Sequence, residues 1–437
     1  MKLLRGGRIQ ASGDAPIERR DILIDERGYI AALLAPGEPI PGGMPPDSGI
    51  PFDREVPSRA GSPAASAQRR GTELITIDLA DRLVVPGLVD AHQHLDKSHT
   101  LREVPNPQGT LDGAIAAFAD YATPRTREDV IAHAERTLRA CSARGTVAIR
   151  SHANIDPECG LRNAEALIEL RARWQDRIRL QVVAFITSGA INNPKGKGWL
   201  DDALAMGADV VGGTPTRAHD VDAFLDMLFD ASQRFGRPID VHMDEHLDVN
   251  AVHFDALADR TLALGMQGKV VASHSSVLSA LAPDEANRII DRLAHAGIGV
   301  ITLPAANLFL QGRHADRLPP RGLTRVNELA HAGVTVACAS DNIRDPFVPT
   351  GSGDMLEIAR WTVLAAHLGS KDLGRAFDMA CGNPARLLRI DAEHGLKVGA
   401  RADLLITKAE DAADLVAGGA LERCVLVGGD AVGGHLI

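Results

Sequence analysis

Two histidines spaced by one residue, His92 and His94, close an apolar run that starts behind the turn signal Pro86-Gly87. Residues two apart on a strand point to the same face, so both imidazoles can reach one metal ion from the end of a single rigid strand. Imidazole is a common ligand for zinc and ferrous iron. The chain has 16 histidines, so the spacing by itself is a weak signal. It gains weight from three residues further along the chain: His242, His274 and Asp341 each stand at or just past the end of another β-branched run. His92, His94, His242 and Asp341 make a coordination set with a position left for water, and a metal so held brings the pKa of that water towards neutrality.

Glu245 lies three residues past His242, where a carboxylate can take a proton from the attacking water and pass it to a ring nitrogen and leaving group. A solvated loop glutamate is the bland alternative. Asp341 can bind the metal and also accept the water's proton. His274 can be a further ligand; the preferred reading makes it a hydrogen-bond partner of the hydroxide and of the developing tetrahedral centre.

The elements that must position these groups read as repeated β-α units. After the His92 strand come runs at Thr146 to His152, Arg179 to Ile186, Ala208 to Gly212, Pro238 to Met243, Lys269 to His274, Ile298 to Leu303 and Val334 to Ser340. That makes eight, the number that closes a (β/α)₈ barrel, whose active site lies at the C-terminal ends of the strands. The fourth run has no lysine to bridge a second metal, so one divalent ion is expected. Helix-length segments separate the runs. One begins after Thr126-Arg127-Glu128-Asp129, a capping-box pattern, and its Ile131, Ala134, Leu138 and Cys141 recur at helical spacing and should face the barrel.

The 437 residues suit one such barrel, at 86–389, and a small β-sandwich module split between the chain ends, at 1–85 and 390–437. At the N-terminal end, short strands are expected at Lys2 to Leu4, Arg8 to Ala11, Ile22 to Ile24 and Ile30 to Leu33; the tail from Gly395 to Ile406 and from Cys424 to Val427 is again β-like. Residues 35–71 turn to Pro, Gly, Ser and charge without an apolar period and read as a surface insertion.

A net charge of −10 gives no electrostatic reason to expect nucleic acid or an anionic membrane, and points to a small-molecule substrate. Five scattered cysteines without a Cys-x-x-Cys pair fit reduced core thiols in a cytoplasmic protein. The first residues lack the apolar segment of a signal peptide, and no run approaches the roughly 20 apolar residues of a membrane span. Arg313, Arg321 and Arg325 read as an anion patch or as an inter-loop brace, and Lys195-Gly196-Lys197-Gly198 as a flexible loop, since no Walker-type spacing accompanies it.

These residues resemble the amidohydrolase superfamily over nearly the whole chain, through the His-x-His strand behind Pro-Gly, the split β-module and the tail Gly395, Gly399, Ala402, Asp403, Leu404. Within it the chain is similar to bacterial-type cytosine deaminases at Ile239 to Glu245, Ala272-Ser273-His274, Leu310 to Arg313, Arg321 to Val326 and Ser340 to Phe347. The resemblance implies one zinc or iron on His92, His94, His242 and Asp341, proton transfer by Glu245, assistance by His274, and a homo-oligomer. Where such deaminases carry a glutamine that reads the pyrimidine edge, this chain has Thr187; Asn342 and Phe347 replace the more usual Asp and Trp. These three positions are the candidate substrate-binding residues, and their changes put cytosine itself in doubt. Asp90 to Thr100, Gln181 to Phe185 and Ser340 to Asp345 also look like N-alkylammelide amidohydrolases.

The expectation is therefore a single-metal hydrolytic deaminase of a small N-heterocycle, cytosine or a related cyclic amidine, with hydroxide attacking the amidine carbon. The alternatives are an N-alkylaminotriazine amidohydrolase, a cyclic amide hydrolase and, more remotely, an inactive barrel used as an assembly module.

Overall fold

A computed structural model describes residues 1–41, 50–51, 74–194, 196–317, 321–418 and 422–433. Eight parallel strands form one sheet in sequence order: β1 (Leu88–Gln93), β2 (Thr146–Ile155), β3 (Arg179–Ile186), β4 (Val210–Gly213), β5 (Ile239–Met243), β6 (Val270–His274), β7 (Gly299–Thr302) and β8 (Val336–Cys338). The ring closes at its mouth, where Gln93 and Asp341 form a parallel bridge just past β8. This is the (β/α)₈ barrel anticipated from the eight runs. The expected run at Arg179 to Ile186 coincides with β3, and the others agree within a few residues.

The helices cover the barrel with apolar faces. Helix Arg127–Ala143 begins with the expected capping box: the Thr126 side chain accepts from the Asp129 amide, and the Asp129 carboxylate accepts from the Thr126 amide. Its buried face holds Ile131, Ala134, Leu138 and Cys141, which join the main core between strands and helices. A smaller apolar cluster fills the barrel interior, with Val89, Ala148, Val271, Ile301 and Ala337.

A second sheet, of nine strands among the described residues, is built from both chain ends and carries its own apolar cluster, including Leu4, Ile22, Ile24, Leu404 and Leu426. Strand Leu83–Pro86 joins the two ends by pairing with Leu404–Thr407, antiparallel, immediately before β1. The two strands expected at Lys2 to Leu4 and Arg8 to Ala11 are one strand, Lys2–Ile9, bulged between Leu4 and Gly7. Gly6 takes the left-handed conformation there, φ +70°, and its amide donates to Asp21 Oδ1 at 2.7 Å, so the glycines bend the strand instead of ending it.

The tail differs likewise: only Leu404–Thr407 of the segment from Gly395 is strand, and helix Ala412–Gly418 precedes the strand Arg423–Val427. Gly395 and Gly399 have φ of +114° and +86°, which suits turns and breaks a strand. Most of the expected insertion at 35–71 lies outside the described residues, as does Lys195; Gly196–Gly198 form one 3₁₀ turn. All five cysteines are buried and unpaired. Among the described residues no helix is long and apolar enough to cross a membrane.

Candidate active site

The predicted ligands come together because of how the barrel closes. Strand β1 ends at Gln93, so His94 sits one residue past the strand and is held by the closure: its amide donates to Asp341 O at 3.0 Å. The Asp341 amide donates in turn to His92 O at 2.9 Å. The backbone thus clamps three candidate ligands to one another, and β5 adds His242. One ligand atom from each of the four lies within 4.8 Å of all the others. His94 Nε2 is 3.1 Å from His242 Nε2, and Asp341 Oδ1 is 3.5 Å from both His92 Nε2 and His94 Nε2. Ligand atoms about 2.1 Å from a tetrahedral ion are about 3.4 Å apart, which these separations match.

The donor chemistry fits a cation. His92 Nε2 and Asp341 Oδ1 are buried with no hydrogen-bond partner, and the His94 and His242 Nε2 atoms at 3.1 Å hold at most one proton between them. Burial holds the His94 and His242 imidazoles well below their usual pKa, helped by Lys97 beside His94 and by the surrounding histidines. Both are neutral, with lone pairs available. The Asp341 carboxyl stays below its ordinary range although burial pushes it up, because His92 and His274 favour the anion.

Glu245 extends over this cluster from the loop after β5. Burial and the neighbouring Asp341 push its carboxyl well above the usual range, against the pull of Arg217. Its Oε1 lies 3.3 Å from Nδ1 of His274, the last residue of β6, whose Nε2 is 3.9 Å from Asp341 Oδ2. Asp244, His274, Ser275 and Asp341 all adopt positive φ. Left-handed non-glycine residues cost about 1–3 kcal/mol each and persist where tertiary contacts over-determine them. Here the contacts are explicit: the Ser275 amide donates to Met243 O, and both Asp244 oxygens accept from His253.

The cluster opens into a cavity of about 330 Å³. Thr187, Asn342 and Phe347 all line it, as do Glu245 and His274. Thr187 caps a short helix and donates its hydroxyl to Ile155 O at 3.3 Å; the Asn342 amide donates to Asp345 Oδ2 at 2.6 Å. The far wall is one apolar helix face, with Leu111, Ile115, Phe118 and Ala122. Of the arginines read as a patch or a brace, Arg325 donates to Leu278 O and Leu281 O and Arg321 to Leu308 O, as a brace would, while Arg313 is exposed and lies over the Phe309 ring.

Sequence reasoning missed Lys97, His152 and Arg217. The Lys97 ammonium is buried, 3.0 Å from His94 Nδ1 and 2.6 Å from Asn154 Oδ1, and faces the cavity. His152 stacks on His92 with ring centroids 3.9 Å apart. It sits inside the second expected run, at the position where the strand-end rule applied to His242 and His274 would have found it. Lys97 lies in a turn after β1 and Arg217 ends a single 3₁₀ turn, Pro215–Arg217, where no periodicity marks them.

Comparison with known proteins gives the chain its family. Pterin deaminase of Rhizobium rhizogenes is 35% identical over 357 residues, covering 81% of this chain and 81% of that protein. N-isopropylammelide isopropyl amidohydrolase of a Pseudomonas species is 31% identical over 368 residues, covering 82% and 86%. The crystal structure of 5-methylcytosine deaminase from Klebsiella pneumoniae, liganded with 5-fluorocytosine, superimposes with a TM-score of 0.84 at 29% identity over 100% of this chain and 98% of that one. The sequence profile of the amidohydrolase family matches residues 105–432, three-quarters of the chain. By that match and by the two relatives above 30% identity, the chain belongs to the amidohydrolase family.

Proposed function

We propose that this amidohydrolase is a hydrolytic deaminase of a small, planar, amino-substituted nitrogen heterocycle, with one zinc or iron ion held by His92, His94, His242 and Asp341. The observation that carries the reading is the placement of Glu245: a largely buried carboxyl beside His274, over the four converging ligands and facing the cavity. When bound, the ion supplies Lewis acidity that makes water a nucleophile at neutral pH.

The remaining work falls to the chain. Glu245 takes a proton from the attacking water and delivers it to the ring nitrogen next to the reacting carbon; it then carries the remaining hydroxyl proton to the exocyclic nitrogen, so that the exocyclic C–N bond breaks, ammonia leaves and the carbonyl forms. His274 holds the Glu245 carboxyl and faces the carbon that becomes tetrahedral. Phe347 and the apolar helix face bury the ring. The Thr187 hydroxyl spends its hydrogen on Ile155 O, so it offers the ring an acceptor oxygen, while Asn342 gives one amide hydrogen to Asp345 and keeps a second N–H and its acceptor oxygen.

The apolar wall also supports a second reading, release of an alkylamine, since Leu111, Ile115 and Phe118 offer room for an alkyl substituent. Incubating zinc- or iron-loaded protein with cytosine, 5-methylcytosine, pterin and N-alkylaminotriazines, and assaying both ammonia and alkylamine, separates the two. Ammonia from any amino-substituted ring supports deamination, alkylamine alone supports the second reading, and neither product from any ring rejects both.

A further inference from the structure

Beneath the candidate ligands the barrel interior holds a second polar layer drawn from four strands, buried except for the half-buried Gln181. Arg150 on β2 donates from Nη1 to Asp240 Oδ2 on β5 at 2.8 Å, from Nε and Nη2 to Gln181 Oε1 on β3 at 3.1 and 3.0 Å, and from Nη2 to Leu387 O at 3.0 Å. Above it, Ser273 on β6 donates its hydroxyl to Asp240 Oδ1 at 2.8 Å, and Ser273 Oγ lies 2.9 Å from His92 Nδ1. His92, Ser273, Asp240 and Arg150 are at most 1% exposed.

The direction of every proton among these groups is fixed by elimination. Arginine only donates, and an ionised carboxylate only accepts. Asp240 Oδ2 accepts from the permanently charged Arg150 guanidinium at 2.8 Å, so Asp240 stands as the carboxylate partner of that cation. The single Ser273 hydrogen must therefore go to Asp240, since turning it away would set two lone-pair-bearing oxygens 2.8 Å apart. That leaves the Ser273 oxygen as an acceptor for His92 Nδ1–H. A neutral imidazole protonated at Nδ1 keeps its lone pair on Nε2, which is the buried His92 atom with no partner, 3.5 Å from Asp341 Oδ1.

We infer that Arg150, Asp240 and Ser273 form a positioning relay that locks His92 in the Nδ1–H tautomer and aims its Nε2 lone pair at the ligand cluster. His152 completes the device. It stacks on the His92 ring at 31° between planes, and its Nε2 lies 3.5 Å from Asp240 Oδ1. His92, His152 and Asp240 also lie close enough together to suggest a second metal group, but Asp240 is already engaged by Arg150 and Ser273. The group is therefore the underside of one site. This inference rests on the reading of His92 as a metal ligand.

Hydrogen-bond partners of metal-bound histidines typically govern ten- to a hundredfold in metal affinity, roughly, when removed. Zinc titration of the metal-free full chain should show Ser273→Ala binding zinc about ten- to a hundredfold more weakly than wild type, with Ser273→Thr, which keeps the hydroxyl, close to wild type. Nitrogen-15 NMR of the metal-free wild type should show His92 protonated at Nδ1, and Ser273→Ala should lose that single-tautomer pattern. A wild-type His92 protonated at Nε2 overturns the relay without needing any variant, as does a Ser273→Ala protein with unchanged zinc affinity and tautomer. A wild-type chain that binds no divalent ion overturns the metal-centre reading instead, and the tautomer measurement then judges the relay alone.

Discussion

The barrel interior has two polar storeys, and they differ in one respect. At the mouth, His92 Nε2, His242 Nδ1, His274 Nε2 and Asp341 Oδ1 are buried without partners. One layer down, every nitrogen of the Arg150 side chain and both oxygens of the Asp240 carboxylate are hydrogen-bonded, and among the described residues only the ring nitrogens of His152, which stacks between the two layers, lack partners there. Leaving a buried polar group unpaired costs about 1–3 kcal/mol, so several such groups together mark a place that folding alone would not produce. The lower storey shows that this sequence can satisfy buried charge when nothing else is required of it. The contrast separates a surface built to bind from a layer built to hold.

Three changes test this division. The largest effect is expected at the mouth: Glu245→Gln should lower turnover by about 10²–10⁴-fold, the usual contribution of general acid–base catalysis, while bound metal measured by elemental analysis is unchanged. Retained turnover would remove Glu245 from the chemistry.

In the lower storey, Arg150→Met leaves the Asp240 charge buried and should cost about 3–5 kcal/mol in denaturant unfolding. Combining it with Asp240→Leu should restore most of that stability, because buried ion pairs replaced by apolar groups are often neutral. If the double variant also bound zinc as tightly as wild type, the lower storey would have no influence on the upper one.

The smallest effect belongs outside both. Thr126→Ala removes a helix cap about 1 kcal/mol in worth and should lower the thermal midpoint with kcat unchanged. A change in kcat would mean that the outer helices tune the site.

The legible features are those written in local sequence. The capping box at Thr126 and Asp129 spans three residues, and strand β3 is a β-branched run bounded by turn-forming residues; each is decided within a few positions. The kinked N-terminal strand reads as two in the sequence because a bulge at Gly6-Gly7 and a true turn have the same composition, and only the pairing with Glu18–Ile24 distinguishes them. His152 escapes notice although it stands on a barrel strand, and Arg150 with Asp240 escapes because their positions are 90 residues apart. The hydrogen bond between His92 and Ser273 joins positions 181 apart.

The sequence by itself determined the alternation of strands and helices, and hence the barrel, because hydrophobic periodicity is a short-range property. It also determined which side chains stand at the strand ends, because a parallel barrel brings all those ends to one mouth. Tertiary structure decided the rest: which nitrogen of His92 is free, that Lys97 and Arg217 face the cavity, and that the Thr187 hydrogen and one Asn342 amide hydrogen are held by the protein. Those outcomes depend on distances of about 3 Å between residues far apart in the chain, where hydrogen bonds are made or lost.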